Sequence, residues 1–167
     1  MRVGVTGHRQ YDDLDAVGDA VDVVADTLAA RAVAAGTPLE VWSSLAEGAD
    51  RVVADALVAR GAELVAVLPL DPIDYADDFG DPVSRREFER LLGTAGHVLV
   101  VGAHLPTRPA AYEAAGLAIV EACPVLVAVW DGAPARGPGG TAAIVDAAHG
   151  RGREVIVVPA PRGNVGP

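Results

Sequence analysis

Two glycine-bearing stretches hold the residue types from which a ligand site could be built. "WDGAPARGPGGTA", Trp130 to Ala142, follows the apolar run "VLVAVW" and precedes a helical pattern. Gly137, Gly139 and Gly140 lack Cβ atoms, so the backbone there can turn sharply and approach a ligand closely. A helix that starts after them offers unpaired N–H groups and a positive dipole end, which suit phosphate or carboxylate. Thr141 adds a hydroxyl, Arg136 a charge and Asp131 a carboxylate beside glycine. The plainer alternative is a structural loop whose glycines serve helix–sheet packing, although such loops usually run to about 2–6 residues and this one is longer. "VTGHR" repeats the logic at the first apolar run: Gly7 follows the run, and His8 and Arg9 project from the loop, unless this is a simple turn.

Two further groups belong with these. In "SSLAEGAD", Ser44 and Glu47 fit a capping box, while Gly48 and Asp50 make a small-residue approach with one carboxylate; the stretch suits either capping or ligand contact. Arg108 and Tyr112 stand four residues apart on one helix face, where a guanidinium and a phenol suit a phosphate and a base or ribose, or else a solvated arginine and a half-buried tyrosine. Were the chain a hydrolase, a carboxylate would have to activate water near the ligand. Asp50 and Asp131 are the first candidates as catalytic residues, because both follow apolar runs and neighbour glycine, with Glu47 and Glu113 behind them.

Several chemistries are excluded. All 13 basic residues are arginine, so there is neither a Walker A lysine nor a Schiff-base amine. The pattern G-x-G-x-x-G is missing, and the second apolar run ends in Ser43-Ser44 without the acid that holds a ribose in dehydrogenases. His8, His97, His104 and His149 show no metal-ligand spacing, and Cys123 is the only cysteine, read as an inert core residue. No metal and no cofactor is expected. The net charge of −10 disfavours a broad polyphosphate-binding surface. Nucleic acid is therefore not the expected partner; a nucleotide-like small molecule is. No apolar run reaches the roughly 18 residues of a membrane span, and the N-terminal stretch lacks a signal-peptide core, so the expectation is a cytoplasmic chain with no membrane partner.

The elements that must position these groups alternate along the chain. Strand patterns fall at 2–6, 39–44, 62–70, 97–101, 124–130 and 154–159; helix patterns fall at 13–35, 47–60, 81–93, 108–122 and 141–152. The stretch 71–81 reads as an acidic loop. The strands are nearly continuous apolar runs, which implies burial on both faces. The fold class is α/β: a doubly wound Rossmann-like domain of six mainly parallel strands alternating with about five helices. It spans 1–160, and 161–167 is expected to be a flexible tail. In such a sheet ligands bind beyond the carboxyl ends of the strands, where all the residues named above fall.

"VGVTGHR", "SSLAEGADRVVADALVARGAELVAVLPLDPIDY" and "RPAAYEAAGLAIVEACPVLVAVWDG" with "GPGGTAAIVDAA" together resemble, in order, the blocks of the SLOG superfamily, named for DprA (Smf) and the LOG proteins. The resemblance covers about residues 2–159. It implies a Rossmann-like fold that binds a nucleotide or nucleotide-derived ligand, such as a nucleoside monophosphate or an ADP-ribose-like compound, with phosphate at the Gly137–Thr141 helix start. The LOG branch implies, as an alternative, hydrolysis of the N-glycosidic bond of a nucleoside 5′-monophosphate, and also a homodimer. The DprA branch implies single-stranded DNA binding. In LOG enzymes a glutamate lies three residues after the threonine of the glycine loop; here that position is Ile144, and the nearest acid is Asp146.

Overall fold

The apolar runs become strands of one sheet, and the segments between them become its covering helices. The computed structural model describes residues 1–134 and 140–161. In chain order the elements are β1 (Arg2–Gly7), α1 (Leu14–Ala34), β2 (Glu40–Ser43), α2 (Ala49–Val58), β3 (Glu63–Leu68), α3 (Pro72–Ala76), α4 (Pro82–Thr94), β4 (His97–Val100), α5 (Arg108–Ala122), β5 (Val125–Trp130), α6 (Thr141–Gly150) and β6 (Glu154–Pro159). The sheet order is β4-β3-β2-β1-β5-β6, and all pairings are parallel. The chain therefore builds outward from β1 to β4 and then returns to place β5 on the other side of β1. The order reverses between β1 and β5, which is where an open α/β sheet leaves a crevice at its carboxyl rim.

Strand alternation divides the core. Leu64, Ala66 and Leu68 of β3 face the side covered by α1, α2, α3 and α4, with Val17, Val21 and Leu28, Val53 and Leu57, Tyr75, and Phe88 and Leu91. Val65 and Val67 face the opposite side, against Ala115, Ile119 and Val120 of α5 and Ile144 and Ala148 of α6. Cys123 belongs to that second layer, and burial pushes its thiol up to about 12. Helix starts follow their caps: Asp13, Asp71, Asp81 and Thr107 each accept a backbone N–H of the first turn of α1, α3, α4 and α5.

Three expectations need correction. The stretch 71–81 is not only loop: Asp71 accepts from the Ile73 amide at 3.1 Å and starts α3, whose Tyr75 is buried with the following Phe79 in an aromatic cluster with Phe88. The helix near 47–60 begins two residues later, at Ala49. Burial on both faces fails at the edge strand β4, where Val98, Leu99 and Val100 are 44%, 40% and 43% exposed. An edge strand has a neighbour on one side only, and the helices that cover the sheet centre over its inner strands.

Candidate functional site

The switch point brings together residues from β1, β5 and α6. The His8 amide donates to the Val129 carbonyl at 3.3 Å, which carries the β1–β5 ladder past the strand end and fixes the imidazole above the rim. His8 Nε2 lies 3.0 Å from Asp131 Oδ1, and Nδ1 lies 3.5 Å from Thr141 Oγ1. The same Nε2 is 3.4 Å from the Asp131 amide. A protonated Nε2 satisfies the shorter, charge-assisted contact, so the proton belongs there and Nδ1 is left to accept from Thr141. Asp131 Oδ1 also accepts from the Ala133 amide at 2.9 Å, which turns the carboxylate toward His8. His8 and Thr141 are buried. Gly140 is the N-cap of α6 and makes no side-chain cap bond; a helix start of this kind leaves first-turn amides as donors. Arg136, Gly137 and Gly139 lie outside the described residues.

The β2–α2 loop forms the neighbouring wall. Gly48 holds φ +78°, and a Cβ there would lie 2.5 Å from the His8 carbonyl oxygen and 2.6 Å from that of Arg9. Gly7 is equally constrained: its Cβ would meet Ala49 Cβ at 2.3 Å. Both glycines thus let the end of β1 and the start of α2 meet, and the Ala49 amide donates to the His8 carbonyl at 3.1 Å. The capping box expected of Ser44 and Glu47 does not form. Gly48 is the N-cap, without a side-chain bond, and Glu47 instead accepts from the Ser84 hydroxyl. Ser44 is half-buried. Leu45 adopts φ +59°, a strained value for a non-glycine residue. Its neighbours over-determine it: the Leu45 amide donates to Ser43 Oγ at 3.1 Å, and Arg51 Nε donates to the Leu45 carbonyl at 3.0 Å.

Asp50 stands at the second residue position after Gly48, and its Oδ2 accepts from the Ala46 amide at 3.2 Å. Burial pushes its carboxyl up to about 6, against the pull of the Ala46 amide, the Arg9 charge, the Ser44 amide and Arg51. Arg51 is buried across from it; Nη1 donates to the Ser84 carbonyl and hydroxyl, each at 2.9 Å, and pairs with Glu87 at 3.1 Å. Its guanidinium lies 4.5 Å from the Phe79 ring centroid. Arg51 thereby ties α4 to the β2–α2 wall.

Arg108 and Tyr112 do meet on one face of α5, but not as vacant ligands for an anion. Arg108 Nη1 donates to Asp78 Oδ1 at 2.7 Å, and the Tyr112 hydroxyl donates to Asp78 Oδ2. Burial and the Asp78 carboxylate raise the Tyr112 phenol. Arg9, exposed at the end of β1, lies 5.7 Å from the Tyr112 ring centroid and joins this group to the first strand. Sequence reasoning missed Asp78 because it sits among five aspartates between 71 and 81. The repeated Asp-Pro at 71–72 and 81–82 was the available signal that this segment is folded. Ile144, at the position of the LOG glutamate, is core: a Cβ on Gly116 of α5 would meet its Cδ1 at 2.5 Å.

This architecture is similar to the X-ray structure of DNA processing protein A (DprA) from Streptococcus pneumoniae, with TM-score 0.64 and 20% identity over 98% of this chain. It is also similar to the X-ray structure of TM1055, a structural genomics target, with TM-score 0.56 and 16% identity over 92% of this chain. At these identities the likeness shows the fold alone, a Rossmann-like α/β sheet of six parallel strands with its covering helices. This chain spans 51% of the DprA chain and 71% of the TM1055 chain. No family model and no curated protein matches the sequence. Among the described residues, no helix is long and apolar enough to cross a membrane, and no three His, Cys, Asp or Glu side chains gather as a metal site.

Proposed function

We propose that this chain binds a nucleotide or nucleotide-derived small molecule across the carboxyl rim, with its phosphate at the start of α6. The observation that carries this reading is the convergence of His8, Asp131 and Thr141 at the β1–β5 switch point, directly at a helix start without a side-chain cap. The donors there suit an anion, and the fold rule puts ligands at this place. Gly137 and Gly139, which precede that start in sequence, belong to the same proposal. Titration calorimetry against nucleoside monophosphates and ADP-ribose tests it. Saturable binding that is abolished in Gly140→Trp is the expected result; no heat with any of them overturns it.

A second reading has its own observation. Asp50 is a buried carboxyl with an upward-shifted pKa beside Arg9, the kind of perturbation found where acid–base chemistry is done. Under this reading the chain hydrolyses a nucleoside 5′-monophosphate at the N-glycosidic bond. Asp131 orients His8, and Asp50 is the stronger candidate to exchange a proton with water. Release of free base, lost in Asp50→Asn with binding retained, distinguishes enzyme from binding module. The similarity to DprA adds single-stranded DNA as a competitor in the same titrations; the net charge of −10 argues against it.

A further inference from the structure

The two edges of the sheet are built differently. β6 is guarded. Its first residue, Glu154, is held by both arms of Arg31 at 2.8 and 2.7 Å. Arg153 before it donates to the Val120 and Glu121 carbonyls. Pro159 in the strand and Pro161 after it have no amide to offer a neighbour. β4 has no such guard. The stretch from Ala95 to Ala103 contains one ionisable side chain, His97, whereas charged residues make up 22% of the whole chain. Among the described residues β4 pairs with β3 alone. The Gly96 amide donates inward to the Leu64 carbonyl at 2.9 Å. Alternate residues of a strand serve opposite neighbours, so His97 and Leu99 turn their backbone groups away from β3. Register divides the side chains as well. Leu99 stands beside Val67, on the face covered by α5 and α6, and Val98 and Val100 stand beside Ala66 and Leu68, on the other face. α5 packs on β1 and β3, and α4 packs on α2, so both faces of β4 stay exposed.

We propose that β4 is an interface for a second copy of this chain: two copies pair their β4 strands antiparallel about a two-fold axis and join their six-stranded sheets into one. In the register centred on Leu99, that residue meets its equivalent on one face. On the other face Val98 of each copy meets Val100 of the other, and His97 meets Val101. No two charged side chains are brought opposite each other along the strand. The net charge of −10 repels like copies over the rest of the surface, so approach is least opposed at this neutral edge. A strand of 4 residues supplies less than the roughly 1,200 Å² of a standard stable interface, so the pair forms and dissociates in the micromolar range. The carboxyl rims of the two sheets point in opposite directions in such a pair. Each rim is then complete within one chain, and the proposal stands or falls independently of the nucleotide reading.

Sedimentation equilibrium and amide hydrogen exchange on the full chain test it together. Between about 1 and 300 μM the wild-type chain is expected to pass reversibly from its 17.0 kDa mass to twice that value, with no larger species. Leu99→Lys is expected to raise the midpoint concentration roughly tenfold or more. Val157→Lys, on the same sheet face at the guarded edge, is expected to leave it unchanged. Exchange at the His97 and Leu99 amides, which no strand of the same chain protects, is expected to slow roughly tenfold from the low to the high end of that range. Circular dichroism checks that both variants fold; if Leu99→Lys does not, the exchange of the wild-type chain decides. A chain that stays monomeric throughout the range overturns the proposal, and it does so even where β4 takes up an extended segment of another protein instead. So does a dimer whose His97 and Leu99 amides exchange as fast as in the monomer, because its interface lies elsewhere. Growth beyond the dimer overturns it too, since two-fold pairing occupies both β4 edges, as does a midpoint that moves equally in the two lysine variants or in neither.

Discussion

Asp50 shows how one side chain can be costly for the fold and useful to a site. Its carboxyl is raised to about 6 chiefly by burial, so the folded chain holds its proton more tightly than the unfolded chain does. The sign follows from proton binding. Between about pH 4, near the unfolded value, and pH 6 the native state carries the extra proton, so the contribution of this group to stability falls as pH rises through that window. Above it the charged form is buried at full cost, on the order of 3 kcal/mol for a shift of this size. Asp50→Asn is expected to flatten that slope: urea unfolding should show the wild-type chain losing stability relative to the variant between the ends of the window. A constant difference across it would mean that Asp50 is solvated in the folded chain. His8 presents a different case. Its type and place after β1 were legible in the sequence, but not its role, because the partners Asp131 and Thr141 lie more than 120 residues away in the chain.

Elements were easier to read than the contacts between them. The six strands and five longer helices follow from apolar periodicity and from glycine and proline punctuation, and their edges shift by only a residue or two. The short helix α3 was hidden by composition, since four of the first eight residues from Asp71 are aspartate, and the buried Tyr75 and Phe79 carry its anchorage. The start of α2 was misplaced because Ser44 and Glu47 imitate a cap, whereas tertiary contact decides the matter: Glu47 turns to Ser84 on α4, and Gly48 takes the cap position. Gly48→Ala is expected to destabilise the chain by roughly 2 kcal/mol or more, through its positive φ and the approach of the His8 and Arg9 carbonyls. It should weaken ligand binding as well, because the β1–α1 and β2–α2 walls share this contact. Alanine at Gly18, where an added Cβ meets nothing within 4 Å, is the control expected to be neutral or slightly stabilising.

At the scale of the whole molecule the sheet is well covered at its centre and poorly covered at one edge. β4 carries three consecutive apolar residues, each at least 40% exposed, with neither a lysine nor a proline to guard the strand. Leu99→Lys is expected to reduce self-association in analytical ultracentrifugation while changing unfolding free energy by less than about 1 kcal/mol. An unchanged sedimentation profile would show that the strand is not sticky in solution. The other face offers a gift to the experimenter. Cys123 is 1% exposed and sits where α5 meets β5, with no second thiol in the chain to compete for a reagent. A thiol dye can therefore reach it only when that junction parts, so its modification rate would serve as a stopwatch for the breathing of the fold, and a nucleotide that clamps the rim should slow the watch in proportion to its occupancy.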